Sequence, residues 1–118
     1  IRRVGEAAAL FADAGFLCIT AFISPYRTDR ARARRAGGDA FREIYIRADL
    51  ETCERRDPKG LYRRARAGEI ADFTGVSAPY EPPESAELVV DTAGQPIEAC
   101  VEQILRYIAT SFAIAARP

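Results

Sequence analysis

The segment from position 55 to 66 carries six cationic side chains in twelve residues, a density that could neutralise the phosphate groups of a substrate. A turn, Asp-Pro-Lys-Gly, precedes a short predicted helix with Tyr62 and several arginines. At the centre of the turn, Lys59 is the only lysine among 17 basic residues. Because a compact ammonium coordinates phosphate as a point charge, a lone lysine in an arginine-rich chain is a candidate phosphate ligand.

Two interpretations of this basic segment stay open. Positions 55–75 could form a mobile lid that closes over phosphate groups and excludes water. Alternatively, the segment is a solvated basic helix whose charges are paired with Glu51, Glu54 and Glu69. The turn chemistry and the position of Lys59 favour the lid.

Two further side chains could contact a substrate. Phe73, in the polar stretch Asp72-Phe73-Thr74-Gly75, could stack on a nucleobase, and it could equally fill the core. Ser24 follows a predicted buried strand, where its hydroxyl could bond a substrate or accept a phosphoryl group. A plain Ser-Pro turn is the more ordinary explanation of Ser24 taken alone.

Composition excludes several function classes. The chain has 118 residues, which suffice for one small domain, and we expect a single domain over 1–118. The 17 acidic and 17 basic side chains balance, which argues against a nucleic-acid or anionic-membrane partner. The absence of histidine excludes Ser–His and Cys–His catalysis, and we expect no metal ligands in this chain. No Gly-x-x-x-x-Gly-Lys-[Ser/Thr] loop occurs to hold a triphosphate.

The three cysteines, Cys18, Cys53 and Cys100, are widely spaced and include no Cys-x-x-Cys pair. This pattern supports neither a metal knuckle nor a disulfide framework, and it predicts a reduced, cytoplasmic compartment. Cys18 and Cys100 lie in apolar or amphipathic runs and are predicted core residues. The longest uncharged stretch, 14–26, is too short for a membrane span of about 20 residues, and no signal peptide is visible.

The spacing of apolar residues predicts the elements that position these side chains. They are a helix at 4–14, a strand buried on both faces near 16–23, an arginine-rich helix at 28–36, strands near 41–46 and 87–91, and an amphipathic helix at 96–108. The last helix is expected to turn six residues inward: Ile97, Cys100, Val101, Ile104, Leu105 and Ile108. This order predicts an α/β fold with a parallel sheet, whose ligands gather beyond the carboxyl ends of the strands.

Five motifs occur in one order along the chain. They are Ile-Arg-Arg-Val-Gly-Glu at 1–6, Phe-Ile-Ser-Pro-Tyr-Arg at 22–27, Asp-Pro-Lys-Gly-Leu-Tyr at 57–62, Ala-Arg-Ala-Gly-Glu-Ile at 65–70 and Phe-Thr-Gly at 73–75, with Ala-Pro-Tyr-Glu following at 78–81. In this order they closely resemble the adenylylsulfate (APS) kinase family. The resemblance runs from position 1 to about position 107, and 108–118 matches nothing in the family pattern.

The resemblance implies a three-layer P-loop kinase fold and a transferase of sulfate assimilation. Such a kinase uses ATP with Mg²⁺ to phosphorylate the 3′-hydroxyl of APS, giving 3′-phosphoadenylylsulfate (PAPS). By position, Ile23 and Ser24 would line the APS pocket, and Ser24 matches the phosphoserine intermediate given for bacterial members. We interpret Ser24 as a substrate contact first, because direct attack by the 3′-hydroxyl would suffice. Lys59 would reach the phosphosulfate region, with Gly60 and Leu61 shaping its turn.

The nucleotide rings also have expected partners in this chain. Phe73 matches the aromatic residue that stacks on the APS adenine, with Asp72 and Thr74 beside it. The ATP adenine is expected near three residues of the region 56–95: Arg56, Thr92 and Gln95.

The family domain begins upstream of position 1, and its P-loop and magnesium-binding Asp are expected there. In the family sheet the P-loop strand lies between those matching 16–23 and 41–46. Without it, two edges would face an empty slot, at about 1–3 kcal/mol for each unsatisfied buried group. We therefore expect this chain alone not to catalyse. It is either part of an APS kinase, with a homodimer and a fusion or association with ATP sulfurylase as implied partners, or an inactive module that binds APS or PAPS.

Overall fold

The computed structural model describes residues 1–112. Its elements are, in order, α1 (Arg2–Asp13), α2 (Arg27–Gly37), a 3₁₀ turn (Gly38–Ala40), β1 (Ile44–Arg47), α3 (Leu50–Arg56), α4 (Leu61–Arg66), β2 (Leu88–Asp91) and α5 (Ile97–Ser111). None of the helices in this part of the chain is both long and apolar enough to span a membrane. The fold is mixed α/β, as the order of elements predicts.

Helices α1 and α2 pack against each other through small residues. Gly5 lies so close to α2 that a Cβ atom there would be 2.9 Å from the Cα of Ala33, which is buried. Only glycine fits such an approach without a backbone shift. The predicted helices at 4–14 and 28–36 are confirmed, and α2 ends at the glycine pair Gly37-Gly38.

The sheet consists of two parallel strands, β1 and β2, paired from Ile44–Leu88 to Arg47–Asp91. Helix α5 returns along β2, where Val90 is fully buried and Cys100 is buried beside it. The strands predicted near 41–46 and 87–91 and their parallel pairing are confirmed, with β1 beginning only at Ile44.

The strand predicted near 16–23 is wrong. The chain at 16–26 has no regular secondary structure, and Ile19 and Ile23 are 74% and 69% exposed. Cys18, predicted for the core, is exposed too. A buried strand needs a hydrogen-bonded neighbour and packed layers on both faces. Within residues 1–112 the sheet has two strands and neither pairs with this segment, so its apolar side chains lie at the surface.

Only one side of α5 faces the sheet. Cys100 is buried as predicted, and Ile104 and Ile108 are half-buried. Three residues predicted to face inward are exposed instead: Ile97, Val101 and Leu105. Strands lie about 4.8 Å apart whereas a helix with its side chains is about 10 Å wide, so a two-stranded sheet covers a narrow stripe of the helix. Of the segment 108–118, the part after position 112 lies outside the described residues.

Candidate functional site

A cleft of about 840 Å³ opens between α1, the segment before α2, β1 and the loop after α4. Seven residues predicted to bind nucleotides line it: Ile23, Ser24, Arg56, Asp72, Phe73, Thr74 and Thr92. Four predicted residues do not line it: Lys59, Gly60, Leu61 and Gln95. Ala48 and Thr92, which follow β1 and β2, both reach the cleft, as expected for the carboxyl ends of parallel strands.

Ser24 forms a constrained turn at the cleft. Its φ of 43° lies in the left-handed region, which is uncommon for residues other than glycine. The neighbouring Pro25 restricts the backbone further. The hydroxyl of Ser24 has no hydrogen-bond partner among residues 1–112, whereas its carbonyl oxygen accepts a bond from Arg30. The backbone is therefore held while the hydroxyl stays available.

The loop after α4 presents Phe73 on another wall of the cleft. Its ring packs edge-to-face on Tyr62 with centroids 5.0 Å apart, and Phe73 is half-buried. The backbone N–H of Phe73 donates to Ser77 Oγ at 2.9 Å, which closes the loop. Asp72, directly before it, adopts a φ of 53°. Phe73 is thus supported from behind by Tyr62 while part of the side chain stays accessible from the cleft.

The turn between α3 and α4 is organised by Asp57. Its carboxylate accepts hydrogen bonds from the backbone N–H groups of Tyr62 and Arg63 at 3.1 and 3.0 Å. Desolvation opposes ionisation of this carboxyl, but bonds from the backbone of α4 outweigh it and lower the pKa of Asp57. Gly60 takes a φ of 65°, which glycine adopts without strain. Lys59 is exposed at the tip of this turn.

Three arginines of the basic segment are engaged in ion pairs. The pairs are Arg55–Glu51 at 4.0 Å, Arg64–Glu69 at 3.0 Å and Arg66–Glu54 at 2.5 Å. These are the pairings of the solvated-helix interpretation, and they account for half of the six positive charges. Within residues 1–112 Lys59 has no carboxylate within ion-pair distance, so its charge stays available to a ligand.

Arg56 joins the end of α3 to the end of β2. Its guanidinium donates to the carbonyl oxygen of Thr92 at 2.6 Å and to the Thr92 hydroxyl at 3.3 Å. The Gln95 side chain donates to the carbonyl oxygen of Asp91 at 3.1 Å and so braces the same turn. An Arg47 hydrogen bond is the main cause that lowers the pKa of the Asp91 carboxyl. Arg56 and Thr92 thus contact each other at the cleft, whereas Gln95 supports the turn without lining the cleft.

The described residues hold no group of three or more His, Cys, Asp or Glu side chains that could bind a metal ion together. The polar side chains of the cleft include hydroxyl groups, guanidinium groups and the carboxylates of Asp72 and Glu43, of which Glu43 is paired with Arg30. The hydroxyl and guanidinium groups, together with Phe73, form a surface suited to an aromatic ring that carries anionic groups.

Comparison with known proteins decides the family. The profile described as adenylylsulphate kinase matches residues 1–91. The chain belongs to the APS kinase family. The adenylyl-sulfate kinase of Staphylococcus epidermidis is 55% identical over 109 residues, which are 92% of this chain and 55% of that protein. That of Geotalea uraniireducens is 54% identical over 109 residues, 92% of this chain and 52% of that protein. The chain thus spans about half the length of these relatives.

A solved family structure has the same arrangement of the chain. It is the APS kinase of Mycobacterium tuberculosis in complex with AMPPNP and APS. It matches with a TM-score of 0.83 and 39% identity, over 92% of this chain and 64% of that one. The fold of this chain is therefore that of the corresponding part of an APS kinase.

Arg30 and Tyr80 are among the residues that line the cleft but were not predicted from the sequence. The guanidinium of Arg30 lies over the Tyr80 ring, 6.0 Å from its centroid. Arg30 sits in a helix with several other arginines, so its type and spacing do not separate it from a solvated face. Tyr80 belongs to the Ala-Pro-Tyr-Glu motif at 78–81, and this motif was the only feature of the sequence that could have indicated a role for Tyr80 in the site.

Proposed function

We propose that this chain supplies the APS-binding part of a kinase that phosphorylates the 3′-hydroxyl of APS with ATP, giving PAPS. Family membership together with the convergence of Ser24 and Phe73 on one cleft carries this proposal. The two residues are 49 positions apart in sequence and lie on separate loops. In the proposal Phe73 stacks on the adenine of APS, and Ile23 and Ser24 contact the ribose side.

The chain's own residues would mainly position the substrate and neutralise its charge. Phosphoryl transfer requires little covalent participation by the protein, so binding and electrostatics account for most of the catalysis. Lys59 lies outside the cleft lining on an exposed turn, and in the proposal the lid at 55–75 moves to bring it onto the phosphosulfate. Gly60 and Leu61 shape that turn, and Asp72 and Thr74 flank Phe73.

ATP is the proposed phosphoryl donor, since the M. tuberculosis relative was solved with AMPPNP, an ATP analogue. Arg56, Thr92 and Gln95 would lie by the ATP adenine. The triphosphate and Mg²⁺ would be held by the part of the family domain that this chain does not match. If the ATP phosphates are bound outside this chain, the 118 residues should bind APS but should not phosphorylate it.

We propose five further properties of the protein. They are a single domain over 1–118, the three-layer P-loop sheet of the complete kinase, a cytoplasmic location, a homodimer, and fusion or association with ATP sulfurylase. The alternative function is an inactive module that binds APS or PAPS.

The test of the proposed reaction is APS-dependent release of ADP from ATP and Mg²⁺. It is run on the 118-residue chain and on the chain joined to the coding sequence that precedes it in its gene. Turnover by the longer protein alone supports the kinase. Binding of APS by both without turnover by either supports the inactive module and removes the kinase assignment.

A matched pair of variants tests the APS site itself by calorimetric titration. Phe73→Leu should weaken APS binding by about tenfold, because stacking on an aromatic ring contributes about 1–3 kcal/mol per base. Phe11→Leu is the control, since Phe11 also forms an edge-to-face pair, with Phe16, but does not line the cleft. Equal affinities of the two variants would contradict the assignment of Phe73.

A further inference from the structure

The guanidinium group of Arg30 connects three separate parts of the chain at the edge of the cleft. Nη1 donates to the carbonyl oxygen of Ser24 at 2.6 Å, and Nη2 donates to the carbonyl oxygen of Glu81 at 2.6 Å. Nε forms an ion pair with Oε1 of Glu43 at 2.8 Å. The side chains of Arg30 and Glu43 are only 12% and 16% exposed, so water screens these contacts little.

The same two loops are held together by further bonds. The backbone N–H of Glu81 donates to the carbonyl oxygen of Pro25 at 2.9 Å. The Glu81 carboxylate accepts from the backbone N–H of Arg27 at 2.7 Å. The turn that begins at Ser24 is thus hydrogen-bonded at Ser24, Pro25 and Arg27, and Arg30 provides the only side-chain bond to the Ser24 carbonyl in residues 1–112.

We propose that Arg30 is a positioning residue that holds Ser24 in its left-handed conformation and so presents the Ser24 hydroxyl to the substrate. A serine with a φ of 43° before a proline relaxes unless its surroundings hold it there. The bond from Arg30 restrains the carbonyl side of this residue and leaves the hydroxyl unbonded. The consequence for APS binding rests on the proposed function, whereas the effect on the Ser24 backbone does not.

Lysine cannot replace arginine in this role. The planar guanidinium directs its donors to two carbonyl oxygens and a carboxylate at once, whereas an ammonium is a single point of charge on a flexible stem. Arg30→Lys therefore keeps the positive charge near Glu43 while removing the guanidinium N–H group that donates to the Ser24 carbonyl oxygen. Arg32→Lys is the matched control, because Arg32 lies on the same helix with its side chain 54% exposed and paired only with Asp29.

The first measurement is NMR of the ligand-free 118-residue chain. Arg30→Lys should move the Ser24 Cα and Cβ shifts and its HN–Hα coupling away from left-handed values, and Arg32→Lys should leave them unchanged. Ser24 signals that are unchanged in Arg30→Lys overturn the proposal. If Arg30→Lys does not fold, the wild-type guanidinium protons decide: those of Arg30 should exchange with solvent much more slowly than those of Arg32, and equal rates overturn the proposal.

The second measurement is titration with APS. Arg30→Lys should weaken APS binding by about tenfold at a temperature where the variant is fully folded. Adding Ser24→Ala to Arg30→Lys should cost nothing further, since both changes would remove the same contact. Additive losses, or unchanged affinity in Arg30→Lys while Phe73→Leu weakens binding, overturn the proposal. Failure of the wild-type chain to bind APS contradicts the proposed function instead, and the Ser24 shifts then decide the role of Arg30.

Discussion

Lys59 differs from most of the cationic residues around it in what it contacts. Arg55, Arg64 and Arg66 pair with glutamates and Arg56 binds the turn at Thr92, whereas Lys59 and Arg63 lie exposed without a carboxylate partner in the described part of the chain. An arginine-rich helix alone would predict a solvated surface, which is what Arg55, Arg64 and Arg66 form. At the scale of single residues, Lys59 is therefore a candidate ligand because it lies exposed at the tip of the turn and no local ion pair engages its charge.

Replacement of this residue tests that distinction. Lys59→Ala should weaken APS binding by about tenfold or more, because a charge-assisted bond to a phosphate group is lost. The thermal midpoint should stay unchanged, since the side chain is exposed. Arg106→Ala is the control, because Arg106 pairs with Glu102 on α5 away from the cleft. The assignment fails if both variants bind APS as the wild type does.

At the scale of elements, the α3–α4 hairpin is defined by one carboxylate. Asp57 ends α3 and accepts from the first backbone N–H groups of α4, which have no partner within their own helix. The two helices have only seven and six residues, too few to be stable alone. The geometry of the Lys59 turn thus depends on Asp57.

Asp57→Ala should lower the free energy of unfolding, because the backbone N–H groups of Tyr62 and Arg63 lose their hydrogen-bond acceptor. Urea unfolding measures this loss, and hydrogen exchange should show faster exchange at the amides of Tyr62 and Arg63. Asp39→Ala is a suitable comparison, because the Asp39 side chain is exposed and forms no hydrogen bond within residues 1–112. Protection at Tyr62 that survives in Asp57→Ala would show that the cap does not hold α4.

At the scale of the whole molecule, a charge network ties the start of β2 to α2 and to the residue before β1. Both Glu87 oxygens bind the Arg34 guanidinium, and one of them also accepts from the backbone N–H of Glu43. The Arg34 hydrogen bond is the main cause that lowers the pKa of Glu87 from 4.5 to about 2. Because few apolar side chains are fully buried in the described residues, such polar links carry much of the tertiary structure.

The network predicts a defined pH dependence. The folded pKa of Glu87 lies below the unfolded value, so its contribution to stability is complete above pH 4.5 and is lost as the pH falls towards 2. Glu87→Gln should be less stable than the wild type at pH 7, and the difference should shrink between pH 4.5 and 2. Glu102→Gln, which alters an exposed pair on α5, should show little difference throughout. A constant difference for Glu87→Gln from pH 7 to 2 would contradict this assignment.

Local patterns in the sequence determined most helices, the two paired strands and the family. Helical spacing and glycine stops depend on neighbours within a few positions, and so α1, α2 and α5 were predictable. The motifs at 22–27 and 73–75 marked Ser24 and Phe73 as candidate substrate contacts without any knowledge of their surroundings. The resemblance to the APS kinase family was also readable from the sequence, because it depends on the order of short local motifs.

Only the tertiary structure decided which of these features meet and which stay exposed. The run at 16–23 has the composition of a buried strand, but burial requires a partner strand, which composition does not supply. Arg30 resembles its helical neighbours until the fold brings the carbonyl oxygens of Ser24 and Glu81 to its two nitrogens. Contacts between residues 51 positions apart depend on how the chain returns on itself, and one-dimensional periodicity contains no information about that return.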